Sequence, residues 1–365
     1  MESEKIMQEY RSVRSKLEEL GLYGPDSQIM IRDELGRVCL DSRGRRVSPD
    51  AFGDIKSRLA VLTSGEYSKE YCALGRPVKA SNDDMAMMFG YKIKSTDKAG
   101  RSDAYIIRDR GFIVSGRFES ELIAACILME KMCKTELTAP RIGKVCHLDP
   151  ALCAIEHNVY LKKYSKKSAE AADEEPAVEK PAAADVPDLA LREEVIKYGQ
   201  LLVENRLIQA TWGNISARID DNRFLITPSG VDYYRIRPED IVEIRIDDGS
   251  YAEGLHPSSE KKMHLLIYQE RPDIKAIIHT HSSNCQVFAA CRADLKTDEL
   301  DYPCADYAVS GSGKLAENVA KVMADHDGCI MANHGFVAGA RDLATALQDA
   351  IKADSSAGIL LGAVK

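Results

Sequence analysis

Apolar residues fall at a helical spacing from the start of the chain. Ile6, Tyr10, Val13, Leu17 and Leu20 lie near a 3.6-residue period that stops at Gly21, which predicts an amphipathic helix over 1–24. Turn signals at Leu35-Gly36-Arg37 and Ser42-Arg43-Gly44 divide 31–49 into short strands. The pattern is again mostly helical over 50–75 and 82–90. Tyr105-Ile106-Ile107 and Gly111–Gly116 read as strands, and 119–137 as a long helix. Residues 166–188, KKSAEAADEEPAVEKPAAADVPD, then lose all periodicity. Valine is their only large aliphatic type, so the segment cannot bury enough surface to offset its ordering entropy. It reads as a flexible, partly extended linker. Beyond it, Leu191, Val195, Tyr198, Leu202 and Val203 mark the inner side of a helix over 189–207. Strands are expected at 211–219, 224–230, 241–247, 276–281 and 328–331. Helices are expected at 259–269, 283–290, 315–323 and 343–361. Interleaved strands and helices predict a sheet covered by helices.

The two halves share a faint repeat. Laying Arg108–Glu130 on Ala332–Asp354 without gaps matches Gly111-Phe112 to Gly335-Phe336 and Arg117 to Arg341, with Arg110 where His334 stands. Since βα units share such patterns, the match gains meaning only once His334 has a role.

Composition narrows the class. At 365 residues the chain is long enough for two domains. Its 45% apolar and 29% charged residues are ordinary for a soluble globular protein. A net charge of −8 argues against general binding to nucleic acid or membrane surfaces. No apolar run reaches the roughly 20 residues of a membrane span, and the charged start is unlike a signal peptide. Ten scattered cysteines without a CxxC read as reduced thiols of a cytoplasmic protein.

The candidate chemistry gathers between Pro257 and His281. His279 and His281 end an apolar strand and, two residues apart, share one of its faces. That is half of a metal site, and a catalytic zinc wants a third protein ligand and an open position. His334, at the end of a short strand and before Gly335, is the best third ligand. Coincidental histidines in a core or on a surface are the plain alternative. Glu260 follows Ser258 and Ser259 at a helix start, where an acidic residue meets the dipole favourably and most such glutamates do nothing more. His256 and His264 flank it and alternatively pack or hydrogen-bond around it, and His326 reads as exposed. Gly213-Asn214 and Ser229-Gly230 are simplest as turns. Together with Ser258-Ser259, their backbone N–H groups would form a phosphate cradle beside a metal.

The motifs GNISAR, LITPSG, PSSEKKMHLLIY, AIIHTHS and MANHGFVAG, in this order and spacing, resemble the class II aldolase/adducin family. Within it the chain is most similar to the bacterial sugar-phosphate aldolases, the L-fuculose-phosphate aldolase group among them. The resemblance covers 189–365. It implies a three-layer α/β/α fold with a mostly antiparallel central sheet, and one zinc held by His279, His281 and His334. It places Glu260 on the catalytic acid/base, and Gly213, Asn214, Ser229, Gly230, Ser258 and Ser259 on the phosphate-binding turns. A cytoplasmic homo-oligomer, a tetramer by resemblance, is implied, with no nucleic-acid or membrane partner. Residues 1–165 resemble the later part of the same fold as a smaller, degenerate α/β domain. Arg110, without a lone pair for zinc, predicts that this domain holds no metal.

The activity expected from the resemblance is a zinc-dependent aldehyde-lyase reaction. It would cleave a ketose 1-phosphate such as L-fuculose 1-phosphate to dihydroxyacetone phosphate and an aldehyde. Tyr302 and Tyr307 are candidates for a second acid/base. A methylthioribulose-1-phosphate dehydratase and a ribulose-5-phosphate 4-epimerase are rivals on the same fold. A non-catalytic adducin-like interaction module is the rival of another class.

Overall fold

The structure, a computed structural model, describes residues 2–33, 36–97, 102–158, 186–208 and 211–362. Most of the expected linker, 166–185, lies outside them. Contacts divide the chain into two compact units, Met1–Leu137 with His147–Lys162, and Thr138–Cys146 with Lys163–Lys365. The second unit thus takes in 138–146, which the sequence reading assigns to the first half.

The first unit opens with α1 (Glu2–Glu19), β1 (Gln28–Asp33), β2 (Gly36–Asp41) and β3 (Leu59–Thr63). It continues with α2 (Glu66–Ala73), β4 (Val78–Lys79), α3 (Asp83–Phe89), β5 (Lys92–Thr96), β6 (Ala104–Ile107), β7 (Gly111–Gly116) and α4 (Glu119–Thr138). The helical expectation for 50–75 fails at Leu59–Thr63. This run, LAVLT, is a strand buried at every position. A fully buried strand has no polar face, so its short apolar run carries no period to separate it from a helix.

The second unit begins with α5 (Leu189–Glu204), β8 (Asn214–Arg218), β9 (Arg223–Ile226), β10 (Val242–Arg245), α6 (Lys261–Glu270) and β11 (Ala276–Thr280). Then come α7 (Cys285–Cys291), β12 (Leu295–Lys296), β13 (Asp301–Tyr302), β14 (Cys304–Ala305), α8 (Gly313–Met323), β15 (Gly328–Met331), β16 (Gly335–Ala340) and α9 (Leu343–Leu360). Its seven-stranded sheet runs β10-β9-β8-β11-β16-β15-β14. Every pair is antiparallel except β14 with β15.

Side chains alternate across this sheet and build two apolar layers. Ile215, Ala217, Ile278 and Phe336 pack with Val195 and Leu202 of α5 and with Ala346, Ala350 and Ala353 of α9. On the other face Ile277, Val337 and Cys329 pack with Met263 and Ile267 of α6 and with Leu315 and Val319 of α8. The result is the three-layer α/β/α arrangement.

The first unit repeats this succession. Its order, β2-β1-β3-β7-β6-β5-β4, likewise has one parallel pair, β5 with β6. Thr63 pairs with Phe112 as Thr280 pairs with Phe336, and Ile107 with Gly111 as Met331 with Gly335. Gln28 pairs with Leu62 as Asn214 pairs with His279. The correspondence therefore extends upstream of the Arg108–Glu130 window, to the first hairpin.

Candidate active site

In β11, Ile277 and His279 point to one layer, Ile278 and Thr280 to the other. The strand register sets Asn214 of β8 opposite His279, and Phe336 of β16 opposite Thr280. The ends of β9, β11 and β15 and the starts of β8 and β16 consequently meet at one end of the sheet. His334 reaches that end from the turn after β15. There Asn333 adopts a left-handed φ of 53°, which asparagine tolerates better than most residues. The turn is fastened on several sides. Asn333 N–H donates to Ala289 O at 2.8 Å, its Nδ2 donates to Cys146 O at 2.7 Å, and Arg292 Nε donates to its Oδ1 at 2.8 Å.

The rings of His279, His281 and His334 converge. Nε2 of His279 lies 2.8 Å from Nε2 of His281 and 3.2 Å from Nε2 of His334. All three side chains are buried. His279 Nδ1 donates to Phe336 O at 2.9 Å. A carbonyl can only accept, so the proton sits on Nδ1 and Nε2 offers a lone pair to the centre. Such a convergence calls for a cation. Donors at about 2.0–2.1 Å from a tetrahedral zinc sit about 3.3 Å apart, which the 3.2 Å between His334 and His279 matches and the 2.8 Å between His279 and His281 falls short of. The three histidines are the group able to hold a metal among the described residues, and the hydrogen bond of His279 to Phe336 O is the kind of support that metal-binding histidines use. The residues fit zinc.

Glu260 occupies the N-cap position of α6, yet its side chain makes no capping hydrogen bond. The carboxylate turns inward instead. Its Oε1 lies 2.9 Å from His334 Nε2 and its Oε2 lies 3.2 Å from His279 Nε2. Asn214 Nδ2 donates to Oε2 at 2.8 Å. Burial alone would raise the Glu260 carboxyl, but the adjoining imidazoles of His279 and His334 favour its ionised form, more than offset this and hold it well below the usual carboxylate range. Burial pushes His279 down to about 3, against the pull of Glu260. Both directions keep the lone-pair forms that a cation requires.

The expected phosphate turns flank this centre. An isolated bridge joins Pro228 to Pro257. Ser229 N–H donates to His256 O at 2.9 Å and Ser258 N–H to Thr227 O at 3.1 Å. The Ser229-Gly230 and Ser258-Ser259 turns are thus held side by side. Gly213 has a φ of 89°, and a Cβ there would lie 2.7 Å from His279 O, so the third turn passes directly against the histidine strand. Asn214 departs from the expected turn. It is the first residue of β8, buried, with one amide hydrogen on Glu260 and its oxygen on His264. Tyr302 lies in the core against Phe336, and burial raises its hydroxyl far above the ordinary value. Tyr307 lies under the Arg292 guanidinium. The residues that sequence reasoning passed over are Ser216, Tyr268, Asn333 and Trp212, whose ring centroid is 6.4 Å from that of His281. The one available signal was spacing, since Glu260, His264 and Tyr268 recur every four residues.

The corresponding positions of the first unit hold Leu62 for His279, Arg110 for His334 and Gln28 for Asn214, with Ser64 one residue beyond β3 as His281 is beyond β11. None of the four is a lone-pair donor suited to zinc.

Comparison with known proteins agrees in extent. Residues 193–361 match the family described as Class II Aldolase and Adducin N-terminal domain. The 5-deoxy-D-ribulose 1-phosphate aldolase of Bacillus thuringiensis serovar kurstaki is 36% identical over 161 residues, 42% of this chain and 75% of the relative. The L-fuculose phosphate aldolase of Methanococcus maripaludis is 37% identical over 160 residues, 42% of this chain and 86% of the relative. A solved L-fuculose 1-phosphate aldolase is 39% identical, covering 48% of this chain and 86% of that one, with a TM-score of 0.46. No helix among the described residues is long and apolar enough to cross a membrane.

Proposed function

Because the chain belongs to the class II aldolase and adducin family, we propose that it is a zinc-dependent lyase that reversibly cleaves a ketose 1-phosphate to dihydroxyacetone phosphate and an aldehyde. The observation that carries this reading is a buried carboxylate, Glu260 Oε1, set 2.9 Å from the ring nitrogen of His334 at a convergence of three imidazoles. His279, His281 and His334 hold the ion, which when bound supplies Lewis-acid charge for the oxygens of the ketol end. Glu260 moves the proton at the carbon beside the carbonyl. In the cleavage direction the ionised Glu260 takes the C4 hydroxyl proton as the C3–C4 bond breaks and C4 leaves as the aldehyde, and it then delivers that proton to C3, which completes dihydroxyacetone phosphate. Asn214 keeps Oε2 occupied, which leaves Oε1 for that transfer. The turns at Gly213, Ser229-Gly230 and Ser258-Ser259 hold the phosphate through their hydroxyls and remaining N–H groups, since the N–H groups of Ser229 and Ser258 are spent on His256 O and Thr227 O, and they convert its binding into orientation. The first unit, without histidines at the matching positions, holds no metal and serves as a structural or assembly partner.

The zinc-loaded protein is assayed against a panel that includes 5-deoxy-D-ribulose 1-phosphate and L-fuculose 1-phosphate, with dihydroxyacetone phosphate as the readout. Release of this product from one member is expected. Failure across the panel with metal bound would turn the assignment to the dehydratase or the epimerase.

A further inference from the structure

A buried line of polar side chains leads away from Glu260. Asn214 and Ser216 are two apart on β8 and share a face. Glu260, His264 and Tyr268 are four apart along the start and body of α6 and share another. The two faces interleave, and all five residues are buried. The donor directions follow from one neighbour to the next once His264 is neutral. The carboxylate of Glu260 only accepts, so Asn214 donates through Nδ2 at 2.8 Å. The opposite amide orientation would set two acceptors against each other. Asn214 Oδ1 then faces His264 Nε2 at 2.5 Å, and an amide oxygen only accepts, so the proton of His264 is on Nε2. His264 is neutral, because burial pushes its pKa down to about 4. Its Nδ1 is therefore a lone pair and takes the hydroxyl proton of Ser216 at 2.6 Å. With that proton committed, the oxygen of Ser216 accepts from Tyr268 at 2.8 Å. The far end is anchored by Arg218, whose guanidinium lies 4.6 Å over the Tyr268 ring and donates to Tyr268 O at 2.6 Å.

We propose that Tyr268, Ser216, His264 and Asn214 form one directed chain of hydrogen bonds that holds Glu260 in its reacting orientation, with His264 the central positioning residue. All donors point toward Glu260, so the links polarise one another in the same sense. The chain keeps Oε2 on Asn214 and so keeps Oε1 turned to the substrate side. The inference rests on Glu260 being the acid/base.

Kinetics of the full-length zinc-loaded chain test it, with His264→Phe, Tyr268→Phe and Ser216→Ala beside Glu260→Gln. His264→Phe is expected to lower kcat about 10- to 100-fold, with KM and zinc content unchanged. Tyr268→Phe keeps the ring and its packing and is expected to lower kcat less. Combined with His264→Phe it should add nothing, because the chain is already cut. Two-bond 1H–15N NMR of the wild type should report His264 as the neutral Nε2–H tautomer, a readout that does not depend on turnover or on folding of the variants. Full kcat in His264→Phe, additive losses in the double variant, or an Nδ1–H tautomer would each overturn the proposal. If Glu260→Gln keeps full kcat, the acid/base assignment itself falls. If Glu260→Gln loses kcat while His264→Phe keeps it, only the positioning chain falls.

Discussion

Replacing Gly335 by alanine tests how tightly the fold fixes the three-histidine centre. Gly335 opens β16 directly after His334, where the strand packs against the end of β11. A Cβ there would lie 2.4 Å from Thr280 O and 3.1 Å from His279 Cε1. The first neighbour is backbone and cannot swing aside. β16 must retreat from β11 by about 0.6 Å before the contact becomes one that real Cβ atoms make. That retreat widens the 3.2 Å gap between His334 and His279. Overpacking of this kind costs about 1–3 kcal/mol, or about 2–12 °C of Tm for a unit of this size. Disturbed ligand support should weaken zinc about 10- to 100-fold. Trp212, the single tryptophan, reports thermal unfolding of the second unit, and a chelator competition measures the zinc Kd. Gly335→Ala with wild-type Kd and Tm would refute the claim that this strand contact sets the spacing of the ligands.

Two further outcomes follow from buried groups of the second unit. The folded pKa of His264 lies below its unfolded value, so the unfolded chain protonates first. Its stability contribution is full above pH 6.5 and is lost as the pH falls toward 4, about 3 kcal/mol in all. Urea unfolding of the metal-free protein, followed by Trp212, should show this slope in the wild type and a flatter one in His264→Phe, while equal slopes would contradict it. Gly199→Ala should destabilise although alanine gains about 1 kcal/mol in a helix interior. The added Cβ would lie 2.3 Å from the ring of Tyr233, which is buried and donates to Gly213 O at 3.0 Å. A raised Tm would show that this ring yields freely.

The site was legible wherever chemistry depends on local spacing. The pair His279 and His281 needs only a strand to share a face, and Glu260 only a helix start. His334 was found as a histidine at a strand end, because function concentrates at such turns. What stayed hidden depends on pairing between distant strands and helices. Ser216 and His264 look unrelated until β8 and α6 are laid together, and Asn214 reads as a turn until its register with His279 is known. The tether of Asn333 to Cys146 spans 187 residues and has no sequence signature. Leu59–Thr63 was misread because a strand buried on both faces has no alternation to show. The repeat, visible only near Gly111 and Gly335, becomes clear when strand order replaces identity.

His279, His281 and His334 are proposed to form one divalent-metal centre, located in the second unit alone. The most direct test is the zinc content of the full chain after loading and exhaustive dialysis, beside His279→Ala and His334→Ala. One ion per wild-type chain and close to none in either variant is expected. Two ions per wild-type chain, none in the wild type, or one retained in both variants would contradict it.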